Sequence, residues 1–374
     1  MFGIKMLGIT RKGPIGLDFG SDHLKMVQAD FVKGNPVIRS AIVMPYPTNK
    51  KDLYESPADL KKMIREARSK GGFHGNRAVV TMPPEKLQFV SLEYKCMPSK
   101  DPDEAVIEAI KERFGDQIKS SVIDFLHIRP EHKEQIDRTA LAAVAQKSSV
   151  VSFLELIRKS GLDVDRLEIG PVAINRLMGA INPNERDQIN LVINFGLYKS
   201  YATVLWGRRL LLDRELSFGC ETGAKVLSEA LEISKQEAKE LLARHGIKVA
   251  SKVVAGMDYD EVSIEETVAD ILKPVLQNFA NEIKRLMLYV ASRTRGRTVN
   301  ESYMFGSVLD WPGVDRILSD MTGITFKTTQ PFYGFATSKH AAKIVDVTEL
   351  RGIAVATGLA LLGLENKKGA SDDA

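Results

Sequence analysis

Apolar positions fall into three short β-like runs near the start of the chain, Pro14 to Phe19, Leu24 to Phe31 and Val37 to Met44. Three more lie beyond its middle, Ile189 to Phe195, Tyr201 to Leu205 and Leu210 to Leu216. Short polar turns separate the runs, so each set predicts a meander of antiparallel strands. The first turn of each set follows one course: Ile15-Gly16-Leu17-Asp18-Phe19-Gly20-Ser21 in one, Leu191-Val192-Ile193-Asn194-Phe195-Gly196-Leu197 in the other. An apolar strand ends in a small acid or amide, one aromatic residue and a glycine, and Lys25 or Lys199 follows. Repetition on this scale predicts a duplicated, two-lobed α/β fold.

Between the two sets the pattern changes. After the Pro45-Tyr46-Pro47 breaker, Ser56-Pro57-Ala58-Asp59 predicts a helix start, with Ser56 as cap and Pro57 at the first helical position. That helix is basic and ends at Gly71-Gly72, and Ala78 to Met82 returns as a strand. From 87 to 167 the order is strand, helix, two strands, helix and a last short strand, a small α+β insertion subdomain of βαββα type. A module placed between two halves of a duplicated fold predicts a role in partner choice. Past the second meander, Glu221 to Leu231 and Lys235 to His245 predict helices, the latter capped by Ser234 and stopped by Gly246. Val262 to Ser292 is amphipathic and is expected to break at Pro274, Ser302 to Phe305 reads as a short buried strand, and Gly352 to Leu364 as strand and helix. The expected divisions are an N-terminal segment 1–13, a first lobe 14–86, the insertion 87–167, a second lobe 168–364 whose last helix packs back toward the first, and a disordered polar tail 365–374.

Composition narrows the class. The 374 residues exceed one ordinary core, and 44% hydrophobic with 27% charged residues describes a soluble globular protein. The net charge of +4, from 52 basic and 48 acidic residues, is spread along the chain and predicts no nucleic-acid site. Cys96 and Cys220 are far apart, with no second ligand at metal spacing, which argues against a disulfide framework or zinc site and fits a reducing cytoplasm. No stretch approaches the roughly 18 apolar residues of a membrane span. The apolar start Met1 to Ile9, with Lys5, Arg11 and Lys12, lacks a signal peptide's long core, and reads as a segment that packs on the protein or touches a membrane or partner. Lys61, Lys62, Arg65, Arg68 and Lys70 form a basic helix face that reads as solvated, with anionic lipid as the alternative contact. The six histidines are scattered and assemble no nucleophilic triad, although His23 lies in the first hairpin. The acids Asp258, Asp260, Glu261, Glu265 and Glu266 read as partners of a helix N-terminus rather than as metal ligands.

Candidate chemistry sits in the two hairpins. Glycine at a tight tip lets backbone N–H groups approach an anion with no Cβ in the way. Ser21 adds a hydroxyl donor, Lys25 and Lys199 supply point charges, and Asp18 at its strand end is placed to hold Mg²⁺ through water. Two such hairpins facing each other would clamp a nucleotide.

The duplicated hairpins, the glycine turn Tyr303-Met304-Phe305-Gly306-Ser307 and a terminal Ala-rich helix together resemble the actin-like (ribonuclease H-like) ATPase superfamily. Within it the chain is similar to the PilM family of type IV pilus assembly, relatives of the cell-division protein FtsA. The likeness runs through Phe2-x-x-x-Met6-Leu7, the first hairpin with Leu24-Lys25, Cys96-Met97-Pro98, Glu112-Arg113-Phe114, Val122-Ile123-Asp124-Phe125, Leu141 to Ala145, Ser160-Gly161-Leu162 and Ala354 to Ala360. By this resemblance Asp18, Gly20, Ser21, Asp22 and Lys25 form a first phosphate loop, and Asn194, Gly196, Lys199 and Ser200 a second. Gly219 lies near the phosphates, and Glu240, Gly306 and Ser307 lie against adenosine, with ATP and Mg²⁺ as the implied cofactors. The insertion replaces an actin subdomain, and the groove beside it takes the N-terminal cytoplasmic tail of PilN, a single-span inner-membrane partner. The pilus motor and self-association are further implied contacts, at the cytoplasmic side of the inner membrane.

Three departures mark the site. Asn194 stands where the family usually has aspartate, Gly306-Ser307-Val308 replaces a run of glycines, and Ala238 to Leu242 has leucine at the place of a usual lysine contact. The resemblance therefore implies a regulatory or vestigial ATP site. The insertion has Gly115-Asp116-Gln117-Ile118 in place of an Ile-Pro-Phe turn, which implies a diverged partner peptide. An active actin-fold ATPase or sugar kinase, and an FtsA-like membrane-tethered filament former, stand as alternatives.

Overall fold

A computed structural model of the chain describes residues 10–33, 35–128, 136–183, 187–247, 264–338, 341 and 352–362. The expected N-terminal segment before Thr10, the acids at 258–261 and the tail from 365 lie outside the described residues.

The first apolar runs form the expected meander: β1 (Thr10–Phe19), β2 (His23–Val32) and β3 (Asn35–Pro45), paired antiparallel with Asp18 opposite Lys25. Alternation buries Ile15, Leu17, Leu24 and Met26 completely, and this drives the sheet onto its helices. α1 (Lys50–Glu55) follows, a short helix absent from the sequence reading. α2 (Pro57–Gly71) then has the foreseen limits, with Ser56 Oγ accepting from Asp59 N and Gly72 closing it in the left-handed conformation. β4 (Arg77–Thr81) joins β1 in parallel.

Next come β5 (Gln88–Lys95), α3 (Pro102–Phe114), β6 (Ser121–His127), β7 (Asp137–Gln146), α4 (Lys147–Lys159) and β8 (Asp163–Glu168). The stretch read as one insertion divides here. β5, β7 and β6 make a separate three-stranded sheet, and Leu92, Tyr94, Val106, Ile110 and Ala142 give it a core of its own with α3. Phe153 and Ile157 of α4 join the core of Ile15, Leu17 and Ile64 instead, and β8 pairs in parallel with β4. The inserted module is thus 88–146, because the apolar face of α4 matches the first lobe's core.

The second meander is β9 (Ile189–Phe195), β10 (Ser200–Trp206) and β11 (Arg209–Leu216), after α5 (Gly170–Ile181). α6 (Cys220–Leu231), α7 (Lys235–His245), α8 (Ile264–Arg293), β12 (Glu301–Gly306), α9 (Val314–Thr322) and β13 (Phe326–Thr328) complete that half. α8 runs unbroken through Pro274: the face made by Leu272, Leu276, Phe279 and Ile283 is fully or almost fully buried and outweighs one missing hydrogen bond. β14 (Ala336–Thr337) returns to β3, and α10 (Ala354–Ala360) is the last described helix.

The sheet orders repeat. In one sheet β3-β2-β1-β4-β8 lie side by side, and in the other β11-β10-β9-β12-β13. Each has an antiparallel meander followed by strands parallel to its first member, the structural form of the sequence duplication. The described residues form two compact units, one from residues up to 184 with 208–210 and 331 onward, the other from 185–207 and 211–330. The described residues within 168–183 and 331–362, expected in the second lobe, are thus placed with the first unit.

In that unit α10 lies against β1 and α5 at backbone contact. A Cβ on Gly16 would come within 2.1 Å of Ala356 O, and one on Gly358 within 1.9 Å of Ala173 O. Arg176 of α5 lies in the same contact, its guanidinium bonding both Glu168 carboxylate oxygens at 2.8 Å and Gly358 O at 3.0 Å.

Candidate functional site

In the first unit, polar side chains collect at the C-terminal ends of the parallel strands β1, β4 and β8, where open α/β sheets place their ligands. Asp18 ends β1, and its Oδ1 accepts from Thr81 Oγ1 at the end of β4, 3.1 Å away. Its other oxygen lies 3.9 Å from Lys25 Nζ. Gly20 N donates to His23 O across the hairpin, and Tyr46 Oη donates to Gly20 O at 3.0 Å. Burial, and then surrounding negative charges including Asp18, push the Tyr46 phenol far above its usual range, so it remains a donor.

Lys25 lies over the hairpin tip. A Cβ on Gly20 would sit 3.2 Å from Lys25 Nζ, and one on Gly352 3.5 Å from it, so two glycines flank the ammonium with bare backbone. This cradle, which side chains would fill, fits an anionic oxygen. Asp22 adjoins it, 2.8 Å from His23 Nδ1. Burial works to raise the Asp22 carboxyl, but the His23 hydrogen bond and the charges of His23 and Lys25 outweigh it and hold the group below its usual range. Ser21 is exposed at the turn.

The second unit builds its hairpin more tightly. Gly196 N donates to Lys199 O, and a Cβ there would come within 2.5 Å of that oxygen. The first turn of α6 closes on the same tip, with Cys220 N bonded to Gly196 O and Glu221 N to Leu197 O. Gly219 is pressed against Leu197 and Tyr198, and Gly306 against Phe195 with φ +105°, a conformation suited to glycine. At the ends of the parallel pair β9 and β12, Asn194 lies opposite Phe305 and Gly306 opposite Phe195, and Ser307 Oγ lies 2.8 Å from Cys220 Sγ.

Other expected groups are engaged elsewhere. Lys199 is half-exposed and paired with Glu215, and Ser200 is fully buried with its hydroxyl donated to Phe218 O. Glu240 is exposed on α7 and accepts from Gln236. Glu221, in the first turn of α6, is gripped by Lys235 and Lys239 at 3.0 and 2.9 Å. Thr81, Tyr46, Glu168 and Arg176 were not singled out from sequence. Thr81 is the last residue but one of the strand-like run Ala78 to Met82, as Asp18 is of Pro14 to Phe19, which is the signal that could have found it. Among the described residues no group of three or more His, Cys, Asp or Glu is placed to hold a metal. One carboxylate acting through water needs no such group.

The family model described as Type IV pilus assembly protein PilM matches residues 16–364. The chain belongs to the PilM family. It is a type IV pilus assembly protein of actin-like fold. A solved structure described as a PilM-PilN type IV pilus biogenesis complex is similar at a TM-score of 0.73 and 21% identity, over 94% of this chain and 99% of that one. Ethanolamine utilization protein EutJ from Carboxydothermus hydrogenoformans is similar at a TM-score of 0.53 and 13% identity, over 94% and 89%. MreB5 of Spiroplasma citri bound to ADP is similar at 0.51 and 10% identity, over 95% and 98%. No curated protein sequence matches the chain. Among the described residues no helix is long and apolar enough to cross a membrane. In this PilM family member the first hairpin carries carboxylate, ammonium and bare glycine backbone together, and the second carries an amide and glycines with its lysine turned to Glu215.

Proposed function

We propose that this chain is a cytoplasmic actin-like scaffold of pilus assembly, or of a related secretion machine, with an ATP site that hydrolyses weakly or not at all. It docks the N-terminal cytoplasmic tail of a PilN-like single-span inner-membrane protein. The observation that carries the reading of the site is the contrast between Asp18 at the end of β1 and Asn194 at the matching end of β9. Gly20 and Lys25 hold phosphate oxygens, Asp18 orients Mg²⁺ through water, and Gly306 and Ser307 line the nucleoside side of the second unit. Asn194 offers an amide, which neither takes a proton from water nor draws a cation as a carboxylate does. Glu168, the other carboxylate at the strand ends of the first unit, is tied by both oxygens to Arg176 and is not free to act as a base.

For tail docking, support comes from the inserted module. Cys96 N bonds to Ile136 O, which brings Met97 and Ile136 to one end of its sheet, and both side chains are exposed, as are Val122 and Ile107. The structural neighbour described as a PilM-PilN complex supports a PilN-like partner. Calorimetric titration with a synthetic N-terminal tail of the single-span protein encoded beside this chain tests the reading. Saturable binding, weakened at least tenfold by Met97→Asp with Ile136→Asp, is expected. Absence of binding by the folded wild-type chain refutes the docking role.

A further inference from the structure

Three backbone carbonyls of the first hairpin are taken up by one short segment, the stretch 46–50 that joins β3 to α1. Lys50 Nζ donates to Phe19 O at 3.2 Å, Tyr46 Oη to Gly20 O at 3.0 Å, and Tyr46 N to Asp22 O at 2.9 Å. Lys50 is itself held in place. Its ammonium lies 2.9 Å from Glu85 Oε1, in the turn Pro84–Lys86, and 5.7 Å from the ring centre of Tyr54, one helical turn further along α1. The Tyr54 ring packs edge-on against Phe19 at 5.7 Å, so α1 meets the hairpin through a cation and an aromatic ring together. Only 17% of the Lys50 side chain is exposed, which sets it apart from the solvated lysines of α2.

These bonds act on the peptide groups to which the carbonyls belong. In a trans peptide C=O and N–H point in opposite directions, so fixing Gly20 O to Tyr46 aims Ser21 N–H away from the phenol. A donor on the carbonyl also polarises that peptide group and makes its N–H a stronger donor. The raised Tyr46 phenol keeps its proton, so this donor is constant. A carbonyl oxygen turned toward a phosphate repels it, and binding the oxygens of Phe19, Gly20 and Asp22 withholds them from the anion.

Resting on the reading of this hairpin as a phosphate loop, we propose that Tyr46 and Lys50 are its positioning residues. They hold the carbonyls of the turn so that Ser21 N–H is presented to a phosphate oxygen beside Lys25, and neither touches the phosphate itself.

The test is calorimetric titration of the full chain with ATP and Mg²⁺, and separately with adenosine, for the wild type, Tyr46→Phe, Lys50→Met and Lys50→Arg. Tyr46→Phe keeps the ring and removes the single donor to Gly20 O. It is expected to weaken ATP binding at least about threefold, the worth of one neutral hydrogen bond, and Lys50→Met at least about tenfold, the worth of a charged one. Lys50→Arg retains a cationic donor and recovers most of that loss. Adenosine has no phosphate for the turn to hold, and its affinity is expected to be unchanged in every variant. If Lys50→Met fails to fold, Tyr46→Phe, which disturbs no charge, decides alone. Wild-type ATP binding that is unchanged in Tyr46→Phe, or an equal loss for ATP and adenosine, overturns the inference and leaves the ATP site standing. A folded wild-type chain that binds no ATP refutes the site and the inference together.

Discussion

Lys25 Nζ lies 3.9 Å from Asp18 Oδ2 across the β1–β2 pair, with four-fifths or more of each side chain buried. Thr81 holds the second Asp18 oxygen, so the carboxylate is fixed in place while its remaining lone pairs stay open to a hydrated cation. Asp18→Asn keeps the shape and removes the charge. Its expected effect is nucleotide binding that no longer depends on Mg²⁺, measured by titration with and without a chelator, whereas the wild type loses at least about tenfold in affinity on chelation.

Arg176 and Glu168 form a bidentate pair with 5% of each side chain exposed. Removing one partner strands a buried charge, at a cost of about 3–5 kcal/mol, while replacing both by apolar residues costs far less. Denaturant unfolding of Arg176→Met is expected to show a loss of that size, and Arg176→Met with Glu168→Leu to recover most of it.

The contacts of α10 with α5 and β1 leave no room for a methyl group. Gly358→Ala places Cβ against Ala173 O and Gly16→Ala against Ala356 O, so backbone must shift in either case. Each is expected to lower stability by about 2 kcal/mol or more in thermal unfolding, and Gly75→Ser, with nothing within 4 Å of its Cβ position, by less despite its positive φ.

Asp213 of β11 has its carboxyl pushed up to about 6 by burial, although the 2.6 Å hydrogen bond from Thr203 Oγ1 works the other way. A folded-state value above the ordinary 3.8 means that the folded chain binds this proton more tightly. Its stabilising contribution is therefore fully present below about pH 4 and lost as pH rises through 6. Asp213→Asn is expected to raise stability at pH 7.5 by about 1–3 kcal/mol, with the difference vanishing near pH 4, as read by unfolding across that range.

Much of the fold was legible because period-two alternation and caps are local signals. The meanders, apart from β1 starting four residues earlier, the α2 limits and the Ser234 cap of α7 stand within a residue or two of where the sequence placed them. α5 was hidden because Gly170-Pro171 reads as a turn, yet proline is welcome in a helix's first turn. α4 and β8 were assigned to the insertion because sequence order, unlike core matching, cannot say which of two sheets a helix covers. At the site, Asp18, Lys25 and Gly20 were readable from one hairpin, whereas the loss of Lys199 to Glu215 depends on a residue of another strand, sixteen positions further on. Thr81 and Tyr46 reach the hairpin only through tertiary contacts.

The most direct test of the account is calorimetric titration of the full chain with ATP and Mg²⁺, run beside Lys25→Ala and followed by phosphate release over hours. The account predicts saturable micromolar binding, weakened at least tenfold in the variant, with phosphate released no faster than a few molecules per chain per hour. Binding indifferent to Lys25, or multiple turnovers per minute, would contradict it.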